Sequence, residues 1–224
     1  MRHRAPALLA LASALGLTTA CAKQVPMKMA VEVVSEPDKA AVSFKGKEVG
    51  DTPANLDVGT FEELMAIAAK KENASVVEKR VRILSPDKAQ LIFRFGDVSP
   101  VAKKLGYSKV LVFDYSERVS FDSGKAELKP DALSILNRQA EILKLYFPEV
   151  EVNVCGHTDS TGGDDLNLKL SVDRAKAVSD YLAAAGVPKP KLKPQGFGKD
   201  YPIATNATAD GRGTNRRTEL ILPQ

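Results

Sequence analysis

Val150-Glu151-Val152-Asn153-Val154-Cys155-Gly156-His157-Thr158-Asp159-Ser160-Thr161-Gly162 is the stretch on which the fold turns. Its first residues alternate apolar and polar, the pattern of a strand with one buried face. Small polar residues and glycines then break the strand. From Leu168 to Ala185 apolar residues return at helical spacing and stop at Gly186, a natural helix-ending residue. Polar residues on a loop between a strand end and a helix lie where α/β proteins collect ligand contacts. Gly162 and Gly163 permit a tight loop, Asp164 or Asp165 is placed to cap the helix, and Cys155 reads as a small, half-buried thiol.

Arg174 is the most informative side chain of the helix. In the row Leu170, Arg174, Val178, Leu182 it occupies the face that otherwise points at the sheet. It also sits in the first turns, where the macrodipole disfavours a cation. An arginine set against both preferences needs an anionic partner. Asp159 supplies one in a structural ion pair; alternatively Asp159 takes an ammonium and Arg174 a carboxylate of one zwitterionic ligand. Spacing alone leaves both open.

Outward from this stretch the rhythm is regular. Val110 to Phe113 reads as a strand continuing towards Phe121, and Asp131 to Phe147 has the periodicity of an amphipathic helix. Lys191 to Gly196 and Arg216 to Leu222 read as the last strands. Strand, helix, strand, helix, strand, strand over 109–224 predicts an α+β sandwich, βαβαββ, with a mixed sheet and helices on one side. Before it, 31–107 reads mainly as strands. Thr60-x-x-Glu63 has capping-box spacing, and Phe61, Leu64, Met65 and Ala68 predict a helix of about three turns over 60–71, with its apolar stripe in the core.

The chain has 224 residues, 44% hydrophobic and 27% charged. No stretch reaches the roughly 18 to 20 apolar residues of a membrane-spanning helix. Thirty-two basic against 28 acidic residues, without a basic block, disfavour nucleic acid as partner. Two cysteines and two histidines exclude a Cys/His zinc framework.

Arg2-His3-Arg4, an apolar run Ala5–Leu17, and Thr18-Thr19-Ala20 give the order of a secretory signal peptide over 1–20. The next residue, Cys21, resembles the acylated cysteine of bacterial lipoproteins, with Thr18 where that family prefers Leu. The resemblance implies a lipidated leader over 21–30, palmitate among its acyl chains, and anchoring in the cell outer membrane facing the periplasm. Removing residues 1–20 leaves 30 basic against 28 acidic residues.

Ser35, Pro37, Ala40, Val42, Phe44, Gly46, Gly50, Thr52 and Pro53 resemble the PEGA pattern, with Lys39 in place of its glycine. This implies a small β-sandwich module over 31–107 with a helical insertion, acting as spacer or docking platform for an envelope protein. Residues 109–224 resemble an OmpA-like peptidoglycan-binding domain. Phe121-Asp122, Leu128-Lys129-Pro130, Gly156-His157-Thr158-Asp159, Gly162, Asn167, Arg174-Ala175, Gly196-Phe197-Gly198 and Asn215-Arg216-Arg217 carry that resemblance. It implies that Asp159 and Arg174 hold the ammonium and carboxylate of meso-diaminopimelate, that Asn167 and Arg216 help line the pocket, and that Gly156, His157, Thr158 and Gly162 shape the loop. Gly124 stands where some members place a ligand-touching Asn. Arg217, beside Arg216 on a strand, faces the other side and reads as solvated.

Cys155, His157, Asp159, Asp164 and Asp165 follow no zinc or calcium spacing, and no Ser-His-Asp or Cys-His pair suggests an enzyme. The expectation is a non-catalytic protein without metal or cofactor. Its partners are peptidoglycan and, through the anchor, the outer membrane, which it tethers to the wall. The rival reading is an envelope scaffold whose business end is 31–107.

Overall fold

The structure, a computed structural model, describes residues 24–122 and 124–224. The segment read as a signal peptide, 1–20, and Cys21 lie outside the described residues. Strand β1 (Pro26–Glu36) is followed by β2 (Ala41–Phe44), β3 (Lys47–Asp51), β4 (Ala54–Thr60), α1 (Phe61–Ala66) and β5 (Ala68–Lys70). Then come β6 (Val76–Ser85), β7 (Lys88–Phe95), α2 (Pro100–Lys104), β8 (Val110–Ser116), α3 (Glu117–Ser120) and α4 (Pro130–Tyr146). The chain ends with β9 (Val152–Gly156), α5 (Asp164–Ala184), β10 (Leu192–Gly196), α6 (Ala209–Asn215) and β11 (Arg217–Pro223).

Eight strands form one mixed sheet in the order β10-β9-β11-β8-β6-β7-β1-β4, and β3-β2-β5 form a small second sheet. The four strands from 109–224 occupy one half of the large sheet, in the expected mixed arrangement. The change of rhythm near residue 108 is not a break in packing, because β6 pairs in parallel with β8 from Glu78–Val110 to Ile83–Tyr115. One apolar core runs without interruption from Val25 to Leu222. Phe61 of α1, 2% exposed, sits within it, its ring 4.7 Å from that of Tyr146 and 6.3 Å from that of Phe113.

Helices α4 and α5 pack on one face, burying Ile135, Leu136, Leu143, Val178 and Leu182 against the sheet. The short α2 covers the opposite face, where Val101 and Ala102 meet Val110, Val112, Cys155 and Ile221. Cys155 is therefore fully buried rather than half-buried, and burial pushes its thiol pKa up.

Three local expectations are corrected. The leader drawn to residue 30 ends earlier: β1 begins at Pro26, and Val25, Met27 and Met29 are buried. Alternation of buried and exposed residues extends back through Lys28, and proline is tolerated at the first position of a strand. Helix α1 keeps its capping bond, Glu63 N to Thr60 Oγ1 at 3.2 Å, yet stops at Ala66. Ile67 is extended and wholly buried, and Ala68–Lys70 pairs with β2 instead. The strand drawn towards Phe121 ends at Ser116, giving way to α3.

Around the first turn after β1, Ser35 Oγ lies 2.7 Å from Thr52 Oγ1, which also accepts the Ala40 N–H at 3.1 Å. Lys39, where the PEGA pattern has glycine, takes a left-handed φ of 63°.

A buried ionic network crosses the junction of the two halves. Arg80 on β6, 2% exposed, meets Glu78 at 2.8 Å, Asp114 of β8 at 3.2 Å and Glu219 of β11 at 2.6 Å. Arg82 reaches Asp114 at 3.1 Å and Arg217 reaches Glu219 at 2.8 Å. Arg217, expected in solvent, is thus 2% exposed.

Candidate functional site

Strand β9 ends at Gly156, where an added Cβ would lie 2.0 Å from the Ser171 carbonyl oxygen. Only glycine lets α5 lie this close to the strand end. Backbone bonds then fix the chain as it leaves the sheet: His157 N donates to Arg217 O and Thr158 N to Gly198 O, both at 2.9 Å. The next turn closes on itself. Asp159 Oδ1 accepts the Thr161 N–H at 2.8 Å, Asn167 Nδ2 donates to Thr161 O at 3.0 Å, and Gly162 adopts φ +89°.

The result is a cavity of about 340 Å³ lined by Asp159, Asn167, Arg174, Arg216, Thr158 and Glu117, with Gly124 also on its wall. The four residues expected to bind ligand therefore share one cavity. Helix α5 begins at Asp164 with Gly163 at its cap position and no side-chain cap, so neither Asp164 nor Asp165 caps it; Asp164 pairs with Lys199 at 2.6 Å.

The pairing inside the cavity is not the Asp159–Arg174 ion pair that spacing left open. Arg174, 1% exposed, gives Nη2 to Glu117 rather than to Asp159. Its Nε donates to Lys125 O at 2.9 Å, and its guanidinium lies 5.1 Å from the Phe121 ring centroid. Asp159 instead accepts Arg216 Nη1 at 2.6 Å. Arg216 also gives Nε to the second oxygen of Glu117, so that one carboxylate bridges two guanidiniums. Burial opposes charge on Asp159, but Arg216 and the Thr161 N–H overcome it and hold its carboxyl below the ordinary range. Burial likewise works against Arg216, and Asp159 and Glu117 together raise its pKa.

Glu117, Thr158, Thr161, Leu170 and Arg212 line the cavity but had no binding role in the sequence reading. Glu117 falls in the stretch read as strand. Thr158, read as loop shaping, has a buried hydroxyl without a hydrogen-bond partner among the described residues.

His157 is 1% exposed and stacks on Phe197, ring centroids 5.5 Å apart and planes 11° from parallel. Burial, reinforced by the Arg217 charge, depresses its pKa from 6.5 to about 4. At neutral pH it is an uncharged packing residue beneath the loop. Among the described residues no three His, Cys, Asp or Glu side chains converge as metal ligands. No described helix is long and apolar enough to cross a membrane.

The OmpA family model matches residues 120–216. The chain is 45% identical over 112 residues to the Escherichia coli K12 protein named "Probable lipoprotein YiaD", covering 50% of this chain and 51% of that one. It is 43% identical over 104 residues to the peptidoglycan-binding protein ArfA of Mycobacterium tuberculosis H37Rv, covering 46% of this chain and 32% of that one. The chain thus spans about half the length of the first relative and a third of the second. Among solved structures, the peptidoglycan-associated lipoprotein from Burkholderia pseudomallei is 29% identical with a TM-score of 0.43, over 46% of this chain and 87% of that one.

Proposed function

Because residues 120–216 form an OmpA-like domain, we propose that the protein is a non-catalytic, lipid-anchored tether that grips peptidoglycan through the cavity beside β9. The ligand is meso-diaminopimelate in the peptide stems, whose free amino and carboxylate groups sit side by side on one carbon. The observation that carries this reading is the cavity itself, where two carboxylates, of Asp159 and Glu117, and three guanidiniums, of Arg174, Arg212 and Arg216, line one space of about 340 Å³. That volume suits an amino-acid head group, at the small end of ligand pockets. Asp159 takes the ammonium, with the Thr158 hydroxyl free to accept a hydrogen bond from it. Arg174 and Arg216 take the carboxylate. Asn167 serves by holding the loop that presents Asp159. The name of ArfA, a peptidoglycan-binding protein, supports the same reading.

Cys21 is the proposed acylation site, placing the chain on the periplasmic side of the outer membrane. With β1 beginning at Pro26, only a few residues at roughly 3.5 Å each separate the anchor from the folded body. Grip by a single site is modest, and many copies on one polymer supply avidity.

The test is co-sedimentation of the protein from residue 22 onward with meso-diaminopimelate-type sacculi, beside Asp159→Ala, Asp159→Asn and Arg174→Ala, each checked by circular dichroism. The parent should pellet and the folded variants remain in solution. Equal pelleting of folded variants would remove the site from the reading. It would turn attention to docking through the PEGA-like segment, where every residue of β3 is exposed.

A further inference from the structure

Asp159, Arg174 and Arg216, the charges the cavity would offer a zwitterion, are already paired with one another or with Glu117, while a third arginine of the wall, Arg212, gives Nη1 to the Asn206 carbonyl at 2.9 Å. Glu117 is 6% exposed, and its two oxygens accept from Arg174 Nη2 and Arg216 Nε. It occupies the place between the two guanidiniums that an incoming carboxylate needs. Asp159 holds the other end of Arg216 at 2.6 Å. Across these four side chains the charges cancel. We infer that Glu117 is a built-in competitor that admits zwitterions and rejects plain anions; the inference rests on the proposed ligand class.

The reasoning follows the charges. An anion that displaces Glu117 from the arginines trades one carboxylate for another and leaves the Glu117 carboxylate, 6% exposed where it stands, without the two guanidiniums that hold it. An unpaired charge in such a place is strongly unfavourable. A zwitterion brings the missing partner. Its carboxylate replaces Glu117 on the arginines, and its ammonium then sits between Asp159 and the displaced Glu117, so the exchange is neutral overall. No bond is made or broken and no proton need move. Selectivity thus comes from a penalty on the wrong ligand as much as from attraction to the right one.

Glu117→Gln keeps the shape and removes the competing charge. The two probes are meso-diaminopimelate and pimelate, which is the same chain without the amino groups. Both are titrated by calorimetry into the protein from residue 22 onward. Pimelate should bind Glu117→Gln at least about tenfold more tightly than the parent, as expected when a state populated at about 10% or less becomes dominant. The parent's preference for meso-diaminopimelate over pimelate should narrow by a similar factor. Pimelate binding that is unchanged or weaker in folded Glu117→Gln overturns the inference, whatever happens with meso-diaminopimelate. If the parent binds neither probe while the variant gains pimelate, the competitor stands and the proposed ligand falls. Should Glu117→Gln fail to fold, Glu117→Asp replaces it. Its carboxylate is one methylene too short to bridge both arginines, and it should show a smaller gain for pimelate. No gain in that folded variant also overturns the inference.

Discussion

Replacing Arg80 by Met tests whether the ionic network at the sheet junction holds the two halves together. Arg80 is 2% exposed and touches three carboxylates, those of Glu78, Asp114 and Glu219. Methionine fills much of the same space but carries no charge. Each acid would keep one neighbour: the Ser99 N–H for Glu78, Arg82 for Asp114 and Arg217 for Glu219. The loss is therefore that of one broken buried ion pair rather than three, about 4 kcal/mol. For a chain of this size that lowers Tm by about 8 to 16 °C. Urea unfolding at pH 7, followed by circular dichroism, measures it. The deficit should shrink on acidification. Burial alone would raise the Glu219 pKa, yet Arg217 and Arg80 overcome it and hold it well below 4.5. In the parent, Glu219 therefore contributes stability above its unfolded pKa, which is lost only as pH falls through the depressed folded value. Without Arg80 that depression lessens, so parent and variant converge only below pH 4.5, as the pH falls towards the parent's depressed folded value. A loss under about 1 kcal/mol at pH 7 would refute the reasoning, since a buried charge hub cannot be removed so cheaply.

His157 titrates at about 4 in the folded protein against 6.5 when free, so the unfolded chain takes up a proton first as pH falls. Stability should drop by about 2 kcal/mol between pH 7 and pH 5, and His157→Phe should flatten that slope in urea titrations; an unchanged slope would exclude His157 as its source. Gly156→Ala sets a Cβ 2.0 Å from the Ser171 carbonyl, which forces α5 off the strand end at about 3 kcal/mol. A melting temperature equal to the parent's would contradict that geometry. Phe61→Ala empties a site shared by both halves, with an expected loss of about 3 to 5 kcal/mol. Both parent and variant should melt in a single step, and a curve with two separate transitions would show that the shared core does not couple them.

Strand β9, helices α4 and α5 and the final strand were legible because their periodicities are local. So was Arg174's need for an anion, since an arginine on a buried helix face announces itself. Its partner was not. Glu117 lies 57 residues away, in a segment where Ser116 and Glu117 gave no turn signal strong enough to end the strand. The charges of the junction were hidden for a related reason. Glu78, Arg80 and Arg82 alternate along β6 like the wet face of an edge strand, and nothing within that strand says that Asp114 and Glu219 stand opposite. Parity correctly sent Arg217 to the other side of the sheet, but solvent was the wrong destination because α2 and Tyr201 cover that side. The extent of β1 was written in Met27, Met29, Val31 and Val33, with Pro26 as the distraction.

The strand order has a mechanical consequence. If Cys21 is held in a membrane and the loop after β9 holds the wall, tension enters at β1 and leaves at β9. Five steps of the sheet separate them, about 24 Å at the usual inter-strand spacing. The pull runs across the strands rather than along them, so the ladders β1–β7, β7–β6, β6–β8, β8–β11 and β11–β9 carry it in series, and the weakest sets the breaking force. Three of the six strands on that line, β6, β8 and β11, are cross-linked by Arg80 through Asp114 and Glu219. The middle of the load line is thus riveted by charge, and a sheet under pull should open first at one of the three seams outside that link, β1–β7, β7–β6 or β11–β9.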